Sequence, residues 1–495
     1  MVAPLDPSLL PVPHSWDAGA DEDRLPPSHK VYALRNLPMG DLGAVGFDMD
    51  YTLARYRSPE IDALAFRKAV RLLVRERDYP TWLLEAPYDP AFAVRGLVLD
   101  GLRGNLLKIN RERQVVRAVH GLHALDAEAR EAVYGRRRLA GSAKGFRSID
   151  TLFEIPESAL YATLVEGFDQ KKLPSVQDYV QIFHDVRWAI DTAHRHGEMK
   201  AEILAHREFF IPKDPQLALA LERLRRDGKR LFLLTNSEWS FTNGVLSHLL
   251  DGQDETRPRW TDYFDTIVVS ARKPSFYEEG HPPQPVGGDA PAHAFVGGNA
   301  AWLEERVEAT GEEILYGGDH IYGDILKSKK TSSWRTLMVI PELERELELL
   351  EQKGPELRRL VQLETLRRRT LRRASILLDQ WQRNRHHRQA LAQRLSPEAL
   401  EALDKEATSL DLEAEALDRK AAEQGAEAAQ LIAEVEAAFS PLWGPIFRES
   451  GEQTRFADQI QQYACAYTGK VSNLYAYDPE ATVFAPLPTL PHERW

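Results

Sequence analysis

Four short apolar runs, each followed by polar residues, define the pattern of this chain. They occupy residues 44–47, 231–234, 266–269 and 314–318, and a fifth run covers residues 336–340. Unbroken apolar runs of this length, rich in branched and aromatic residues, are typical of strands buried on both faces of a parallel sheet. We therefore predict an α/β protein whose core is a Rossmann-like parallel sheet.

Between the first two runs lies a long segment that ends in a clear helix signal. Asp214 is placed as an N-cap, Pro215 takes the first helical position, and Gly228 follows the last turn. Residues 57–210 before this signal interrupt the core, and we predict that they form a mainly helical cap. Within them, residues 187, 191 and 194 have helical spacing and would share one helix face.

The last third of the chain carries opposite charges on two long helical patterns. Residues 356–394 contain eleven arginines against three acids, and residues 398–436 contain twelve acids against three basic residues. Ser396 and Pro397 between them have the character of an N-cap and a first helical residue. These features predict an antiparallel helical hairpin with paired basic and acidic arms. RNA binding by the basic arm is the less favoured alternative, because the acidic arm already neutralises it.

The patterns together give a domain plan. We predict an N-terminal arm at residues 1–30, where prolines cluster, and a catalytic core at residues 31–56 and 211–345. The cap occupies residues 57–210 and the hairpin residues 346–440. Residues 441–495 would form a return segment that packs on the core.

Composition narrows the class of protein. At 495 residues the chain exceeds one typical domain, and its net charge of −12 argues against a nucleic-acid partner. Cys465 is the single cysteine, which leaves no intramolecular disulfide or cysteine-rich zinc site. The sequence shows no secretory leader and no apolar stretch of 18 residues. We expect a cytoplasmic protein with no membrane partner.

Candidate chemistry lies directly after the apolar runs. Asp48 and Asp50 follow the first run, Thr235 and Asn236 the second, Lys273 the third, and Asp319 and Asp324 the fourth. Ligands of open α/β sheets bind beyond the carboxyl ends of the strands, so these side chains can converge. The residue types match the needs of phosphoryl transfer, which requires a nucleophile, a proton donor and positive charge around the phosphoryl oxygens.

We assign each of these residues a role. Asp48 is the candidate nucleophile, and Asp50 would protonate the leaving oxygen and later activate water. Thr235, Asn236 and Lys273 would contact or neutralise the phosphoryl group. Mg²⁺ is the predicted cofactor, because carboxylate oxygens are its preferred protein ligands. Its predicted ligands are Asp48, Asp50 and Asp319, with Asp324 in support.

These segments resemble the haloacid dehalogenase superfamily. Residues 47–53, 235–237, 318–330 and 491–493 are similar to motifs of its cytosolic purine 5′-nucleotidase group. The resemblance implies Mg²⁺-dependent hydrolysis of nucleoside 5′-monophosphates through an aspartyl-phosphate, with phosphoryl transfer to another nucleoside as a further activity. It also implies a homo-oligomer.

The resemblance also implies a nucleotide-binding face on the cap. The residues that match nucleotide contacts are Phe153, Arg187, Asp191, His194 and Lys200. A solvent-exposed Arg–Asp pair and a core phenylalanine are the structural alternatives. Asp150 and Glu154 stand where the resemblance predicts asparagines, and carboxylates only accept hydrogen bonds. This departure leaves the base preference open and keeps the alternative of a phosphatase of sugar phosphates or other small phosphomonoesters. A non-enzymatic binding or scaffold protein that uses the helical hairpin is a third alternative, and the intact set of candidate catalytic residues argues against it.

Overall fold

The computed structural model describes residues 25–135, 138–139, 145–195, 197–278 and 280–487. Most of the predicted N-terminal arm and the motif at residues 491–493 lie outside the described residues. The chain divides into two compact units. One runs to Leu347 and resumes at Ile446, and the other is Glu348–Pro445.

The described residues form eighteen strands and fourteen α-helices. The strands are β1 (Tyr32–Ala33), β2 (Leu37–Pro38), β3 (Ala44–Phe47), β4 (Val98–Asp100), β5 (Asn105–Ile109), β6 (Val115–His120), β7 (His123–Ala124), β8 (Phe146–Ser148), β9 (Arg230–Leu234), β10 (Thr266–Val269), β11 (His281–Pro285), β12 (Ala294–Gly298), β13 (Ile314–Gly318), β14 (Arg335–Val339), β15 (Arg448–Glu449), β16 (Glu452–Gln453), β17 (Ala466–Thr468) and β18 (Thr482–Val483). The helices are α1 (Ser58–Glu76), α2 (Ala127–Tyr134), α3 (Ile155–Asp169), α4 (Tyr179–Arg195), α5 (Glu198–Ala205), α6 (Arg207–Phe210), α7 (Pro215–Arg226), α8 (Trp239–Leu250), α9 (Ala300–Val307), α10 (Lys327–Ser332), α11 (Leu343–Gln352), α12 (Gly354–Leu391), α13 (Pro397–Phe439) and α14 (Arg455–Tyr463).

A nine-stranded sheet forms the core of the first unit. Its order is β1-β17-β14-β13-β3-β9-β10-β12-β11. The seven strands from β17 to β12 are parallel, and the edge strands β1 and β11 are antiparallel to their neighbours. The predicted α/β class with a parallel sheet is confirmed.

The four predicted apolar runs are four adjacent strands at the centre of this sheet, in the order β13, β3, β9 and β10. Phe47 at the end of β3 lies opposite Gly317 on one side and Leu233 on the other. The strands therefore end at nearly the same level, and the polar residues that follow them share one edge. The fifth predicted run is β14, whereas β12 and β17 were not predicted.

The helix before β9 begins and ends as its sequence predicts. The carboxylate of Asp214 accepts a hydrogen bond from the backbone N–H of Gln216 at 3.0 Å, which caps α7. Gly228 follows the helix with a φ of +80°, a conformation that glycine adopts without steric cost.

The inserted segment contains six helices and also a sheet. Strands β4 to β8 form a five-stranded antiparallel sheet in the order β7-β6-β5-β4-β8. The prediction of a mainly helical cap missed this sheet. Most of its strands are only two or three residues long, which is too short for an alternating pattern to identify them.

The second unit contains the predicted hairpin, formed by α12 and α13. Ala414, Ala421, Ala428 and Val435 are buried at seven-residue intervals along α13, which is the spacing of a coiled-coil seam. The basic and acidic arms pair through Arg359 with Glu427 at 2.8 Å and Arg373 with Glu413 at 3.5 Å. The helical hairpin is confirmed. Among the described helices, none has the length and apolar character that crossing a bilayer requires.

Gly46 provides a stability test of the central sheet. A Cβ added there would lie 2.0 Å from the ring of Phe232 on β9, which is fully buried. We expect Gly46→Ala to lower the free energy of unfolding by about 1–3 kcal/mol, the usual cost of overpacking a core. Gly43→Ala is the control, because a Cβ at that exposed position meets the Cβ of Ala309 at 3.2 Å. Equal losses in urea denaturation of the two variants would contradict this packing.

Candidate active site

A tight turn after β3 carries the first two candidate residues. The carboxylate of Asp48 accepts a hydrogen bond from the backbone N–H of Met49 at 2.8 Å. Tyr51 has a φ of +52°, and the N–H of Ala54 closes the turn on the carbonyl of Met49 at 2.9 Å. A left-handed conformation at a non-glycine residue is costly and is common in functional turns. The turn brings Asp48 and Asp50 to the same end of the sheet.

Three buried carboxylates meet at this edge. Asp48, Asp319 and Asp324 each offer an oxygen, and these oxygens lie within 4.8 Å of one another. Burial, followed by the charge of Asp324, raises the pKa of Asp319 well above its usual value. Clustered buried carboxylates are unfavourable unless positive charge compensates them. The donor set is made of oxygens and fits a hard divalent cation.

Lys273 supplies positive charge within this cluster. Its Nζ donates to Oδ1 of Asp324 at 2.7 Å and to the hydroxyl of Tyr316 at 2.8 Å, and it lies 3.1 Å from Oδ1 of Asp48. Burial alone lowers the pKa of Lys273, but the carboxylates of Asp324 and Asp48 outweigh it and raise the pKa above the usual value. Lys273 is therefore a buried, charged lysine and not a solvated surface residue.

The second motif holds the backbone of Lys273. The amide of Asn236 accepts the N–H of Lys273 at 2.6 Å and donates to its carbonyl at 3.1 Å. Thr235 is fully buried, and its hydroxyl accepts the N–H of Ser237 at 3.2 Å. Asn236 thus links the end of β9 to the loop after β10, and its place in the structure is beside Lys273.

Asp50 is held by two hydroxyl groups. Tyr56 donates to Oδ1 of Asp50 at 2.5 Å, and Ser237 donates to Oδ2 at 2.7 Å. Burial raises the pKa of Asp50, and the hydrogen bonds from Tyr56 and Ser237 oppose that rise. The Asp50 carboxylate lies outside the three-carboxylate cluster, so its predicted metal role stays a prediction.

Asp324 reaches the cluster through local backbone geometry. It lies in a π-helical turn, Ile321–Leu326, and its Oδ2 accepts the backbone N–H of His320 at 3.1 Å. A Cβ at Gly318 would lie 2.5 Å from the Cβ of Asp324. A glycine at the end of β13 therefore lets Asp324 fold back onto the strand end. Single π-turns of this kind are frequent at functional sites.

An aromatic group borders the Asp50 side of the cluster. The ring of Phe153 lies 4.7 Å from that of Tyr51, 6.2 Å from that of Tyr56 and 5.5 Å from that of His194, measured between ring centroids. Phe153 is partly exposed, which disfavours the alternative of a core phenylalanine. The structure thus brings two of the predicted substrate-binding residues, Phe153 and His194, into contact, and Phe153 lies beside Tyr56, which donates to Asp50.

His194 presents a hydrogen-bond acceptor. Burial lowers its pKa, so the ring is neutral near pH 7. Nδ1 lies 2.8 Å from the carbonyl of Ile190 and therefore carries the proton. Nε2 is buried and makes no hydrogen bond within the described part of the chain.

The remaining predicted cap residues form ion pairs. Arg187 contacts Asp191 at 2.8 Å and Glu157 at 3.1 Å, and Arg147 contacts Glu157 at 2.9 Å. Lys200 is paired with Glu238 and lies 5.1 Å from the ring centroid of Phe241. The predicted Arg–Asp pair is present, but it belongs to a larger, partly buried network.

The two departures from the expected asparagines are linked to this network. Glu154 is paired with Arg147 and accepts the backbone N–H of Asp150 at 3.0 Å. Burial raises the pKa of Asp150, and the charge of Arg455 opposes that rise. The carboxylate of Glu154 is therefore occupied by groups of the cap itself.

The sequence analysis missed several residues of the site. Tyr56, Ser237 and Tyr316 contact Asp50 or Lys273, and Arg95 and Thr151 contact Asp319. Two of these carry a readable signal. Tyr316 places a hydroxyl group inside an apolar run, and Arg95 places a charge inside the apolar segment 91–99. Such residues need partners, but the sequence does not name them.

Comparison with known sequences adds independent evidence. Residues 31–495 match the model of the 5′ nucleotidase family. The chain is 28% identical over 487 residues to a 5′-nucleotidase domain-containing protein of Dictyostelium discoideum, covering 94% of this chain and 74% of that protein. It is 27% identical over 530 residues to 5′-nucleotidase domain-containing protein 2 of Rattus norvegicus, covering 99% of this chain and 87% of that protein.

Solved structures give weaker matches. A protein described as a predicted phosphoglycolate phosphatase from Haemophilus somnus matches at 13% identity and a TM-score of 0.28, covering 60% of this chain and 85% of that chain. CbbY from Rhodobacter sphaeroides in complex with phosphate matches at 14% identity and a TM-score of 0.24, covering 60% and 86%. These low scores carry no functional argument. The family match, in contrast, spans the whole core and its site. The chain therefore belongs to the 5′ nucleotidase family and is a phosphoric monoester hydrolase.

Proposed function

We propose that the protein is a Mg²⁺-dependent 5′-nucleotidase that hydrolyses nucleoside 5′-monophosphates, with a preference for purines. One observation carries the proposal. Asp48 lies beside Lys273 and two further carboxylates, while Asp50 is held nearby by Tyr56 and Ser237. A nucleophile, a cation and a separate proton donor are the parts that cleavage of a phosphomonoester needs.

The reaction has two steps. In the first, a carboxylate oxygen of Asp48 forms a bond to phosphorus as the bond to the nucleoside 5′-oxygen breaks, and Asp50 transfers its proton to that oxygen. In the second, Asp50 takes a proton from water, whose oxygen displaces phosphate from Asp48. Lys273 stays within reach of Asp48 and compensates the negative charge of the phosphoryl oxygens.

The metal completes this arrangement. Asp48, Asp319 and Asp324 would hold Mg²⁺, which when bound supplies positive charge to the phosphoryl group and fixes its orientation. We further propose that a second nucleoside can replace water in the second step, which gives phosphotransferase activity.

The cap would recognise the nucleoside. Phe153 offers a stacking surface, and Nε2 of His194 offers an acceptor for a hydroxyl or amino group. Arg187, Asp191 and Lys200 would form the polar border of this nucleoside site. Phe153 and His194 contact each other in this structure, so a base can bind between them only if the rings separate.

That contact also supports the second candidate function, a phosphatase of sugar phosphates or other small phosphomonoesters. Such a substrate has no base that must bind between the two rings. For either function we propose a homo-oligomer in the cytoplasm with no nucleic-acid partner.

The nucleophile assignment is tested with Asp48→Asn. An amide cannot form the acyl-phosphate, so turnover of nucleoside monophosphates should fall below about a hundredth of wild type, or roughly 2.7 kcal/mol of barrier. The measurement is phosphate release from a panel of nucleotides and sugar phosphates, with Mg²⁺ and after EDTA treatment.

The wild type should lose activity in EDTA and regain it with Mg²⁺. Full activity of the wild type without metal would contradict the proposed Mg²⁺ dependence. Residual activity above about a hundredth of wild type in Asp48→Asn would contradict the assignment of Asp48 as the nucleophile.

The role of Tyr56 is tested by the leaving group. Tyr56→Phe removes a short hydrogen bond to Asp50, so kcat on a nucleotide should fall about tenfold or more, since hydrogen bonds to charged groups contribute about 1.5–3 kcal/mol. The pre-steady-state burst with p-nitrophenyl phosphate should change far less, because that leaving group needs no proton. Tyr51→Phe is the matched control. Tyr51 packs against Tyr56, and within the described residues its hydroxyl makes no hydrogen bond to Asp50. Similar losses on both substrates would show that Tyr56 is only structural.

Recognition of the base is tested with Phe153→Ala. Stacking on an aromatic residue contributes roughly 1–3 kcal/mol, so kcat/KM on a nucleotide should fall about tenfold or more. Activity on a small aryl phosphate should change much less, because Asp48 and Asp50 are untouched. Equal losses on both substrates together with a lower melting temperature would mean that Phe153 is a packing residue.

A further inference from the structure

Two residues of the inserted segment reach the loop that follows β13. Arg95 lies in the segment that leads into β4, and Thr151 lies between β8 and α3. Both side chains contact Asp319, the candidate metal ligand at the end of β13. The insertion therefore touches the proposed metal site directly, in addition to bordering it with aromatic residues.

Arg95 connects the ends of two neighbouring core strands. Its side chain is completely buried. Nη1 donates to the backbone carbonyl of Asp319 at 2.9 Å, and Nη2 donates to Oε2 of Glu342, which follows β14, at 2.6 Å. The guanidinium also lies 5.0 Å from the ring centroid of Phe456 on α14. A planar guanidinium with two of its nitrogens engaged can fix the direction of the Asp319 peptide, which a flexible ammonium group would do less well.

Thr151 contacts the other part of Asp319. Its hydroxyl donates to Oδ2 of Asp319 at 3.3 Å, and both residues are buried. The peptide carbonyl and the carboxylate of Asp319 are therefore each held by a residue of the insertion. These two contacts, one on the backbone and one on the side chain, limit the orientations of a carboxylate whose ligand oxygen lies within 4.8 Å of those of Asp48 and Asp324.

We propose that Arg95 and Thr151 are positioning residues for the metal site: they orient Asp319 and so couple the inserted segment to metal binding. The proposal rests on the proposed function only in taking Asp319 as a metal ligand. Groups that hold a metal ligand from outside typically change metal affinity by about 10–100-fold when they are removed.

A purely structural role would have a different signature. Arg95 is a buried charge, so its loss lowers stability in either case. Only a positioning role changes the affinity for the metal in protein that is still folded. Arg117 provides a matched control, because it is an arginine of the same insertion and pairs with Glu449 at 2.8 Å, far along the chain from Asp319.

The experiment measures Mn²⁺ binding to metal-free, full-length protein by calorimetry and by electron paramagnetic resonance, without substrate. The variants are Arg95→Met, Thr151→Val, Arg117→Met and Asp319→Asn. We expect Mn²⁺ affinity to fall about tenfold or more in Arg95→Met and several-fold in Thr151→Val, and to stay within twofold of wild type in Arg117→Met. In turnover assays, a high Mg²⁺ concentration should restore most of kcat in Arg95→Met, with little change in the KM for the nucleotide.

The outcomes separate this proposal from the proposed function. If Asp319→Asn binds Mn²⁺ as wild type does, Asp319 is not a ligand and the proposed metal site is wrong. If Asp319→Asn loses Mn²⁺ while folded Arg95→Met and Thr151→Val bind it normally, the positioning proposal is overturned and the metal site stands. Should Arg95→Met fail to fold, Arg95→Lys replaces it, because it keeps the charge and loses the two-point geometry. Normal Mn²⁺ affinity in both Arg95→Lys and Thr151→Val would then reject the proposal.

Discussion

The buried cluster of Asp48, Asp319 and Asp324 is the constraint on which the rest of the site depends. Carboxylates removed from water at the end of a parallel sheet repel one another, and each would take up a proton unless positive charge is close. Lys273 provides one such charge, and the oxygen donor set provides a place for a cation. The residues that surround the cluster hold these charged groups close together and fix their orientation.

Different elements supply the charged groups of the site and the groups that hold them. The central strands bring four loops to one edge at nearly the same level, and their ends supply the charged groups. Asn236 and Tyr316 hold Lys273, while Tyr56 and Ser237 hold Asp50. The inserted segment adds aromatic rings beside Asp50. The proposed proton donor, Asp50, thus lies outside the cluster, an arrangement that suits one carboxyl carrying a proton while its neighbours remain acceptors.

The hairpin is a compact unit of its own, stabilised by contacts between its two long helices. Alanines at seven-residue intervals allow α12 and α13 to approach closely, and oppositely charged arms pair along their length. Its sequence signal is strong because heptad spacing, capping and charge all act within a short range. The sheet of the insertion shows the opposite case, since its strands of two or three residues are too short for an alternating pattern to identify them.

The amino-acid sequence was enough to predict the central strands, the helix caps at Asp214 and Ser396, the hairpin and the charged residues at the strand ends. Each depends on local periodicity or on the polarity of a strand end, and these effects are written in neighbouring residues. Which groups these residues contact could be read only from the folded structure. That Lys273 lies buried between Asp48 and Asp324, that Tyr56 holds Asp50, and that Arg95 reaches Asp319 all depend on contacts between distant segments. The partner of a buried charge is chosen by the packing of the whole fold, because burial makes a partner necessary while the local sequence leaves its identity open.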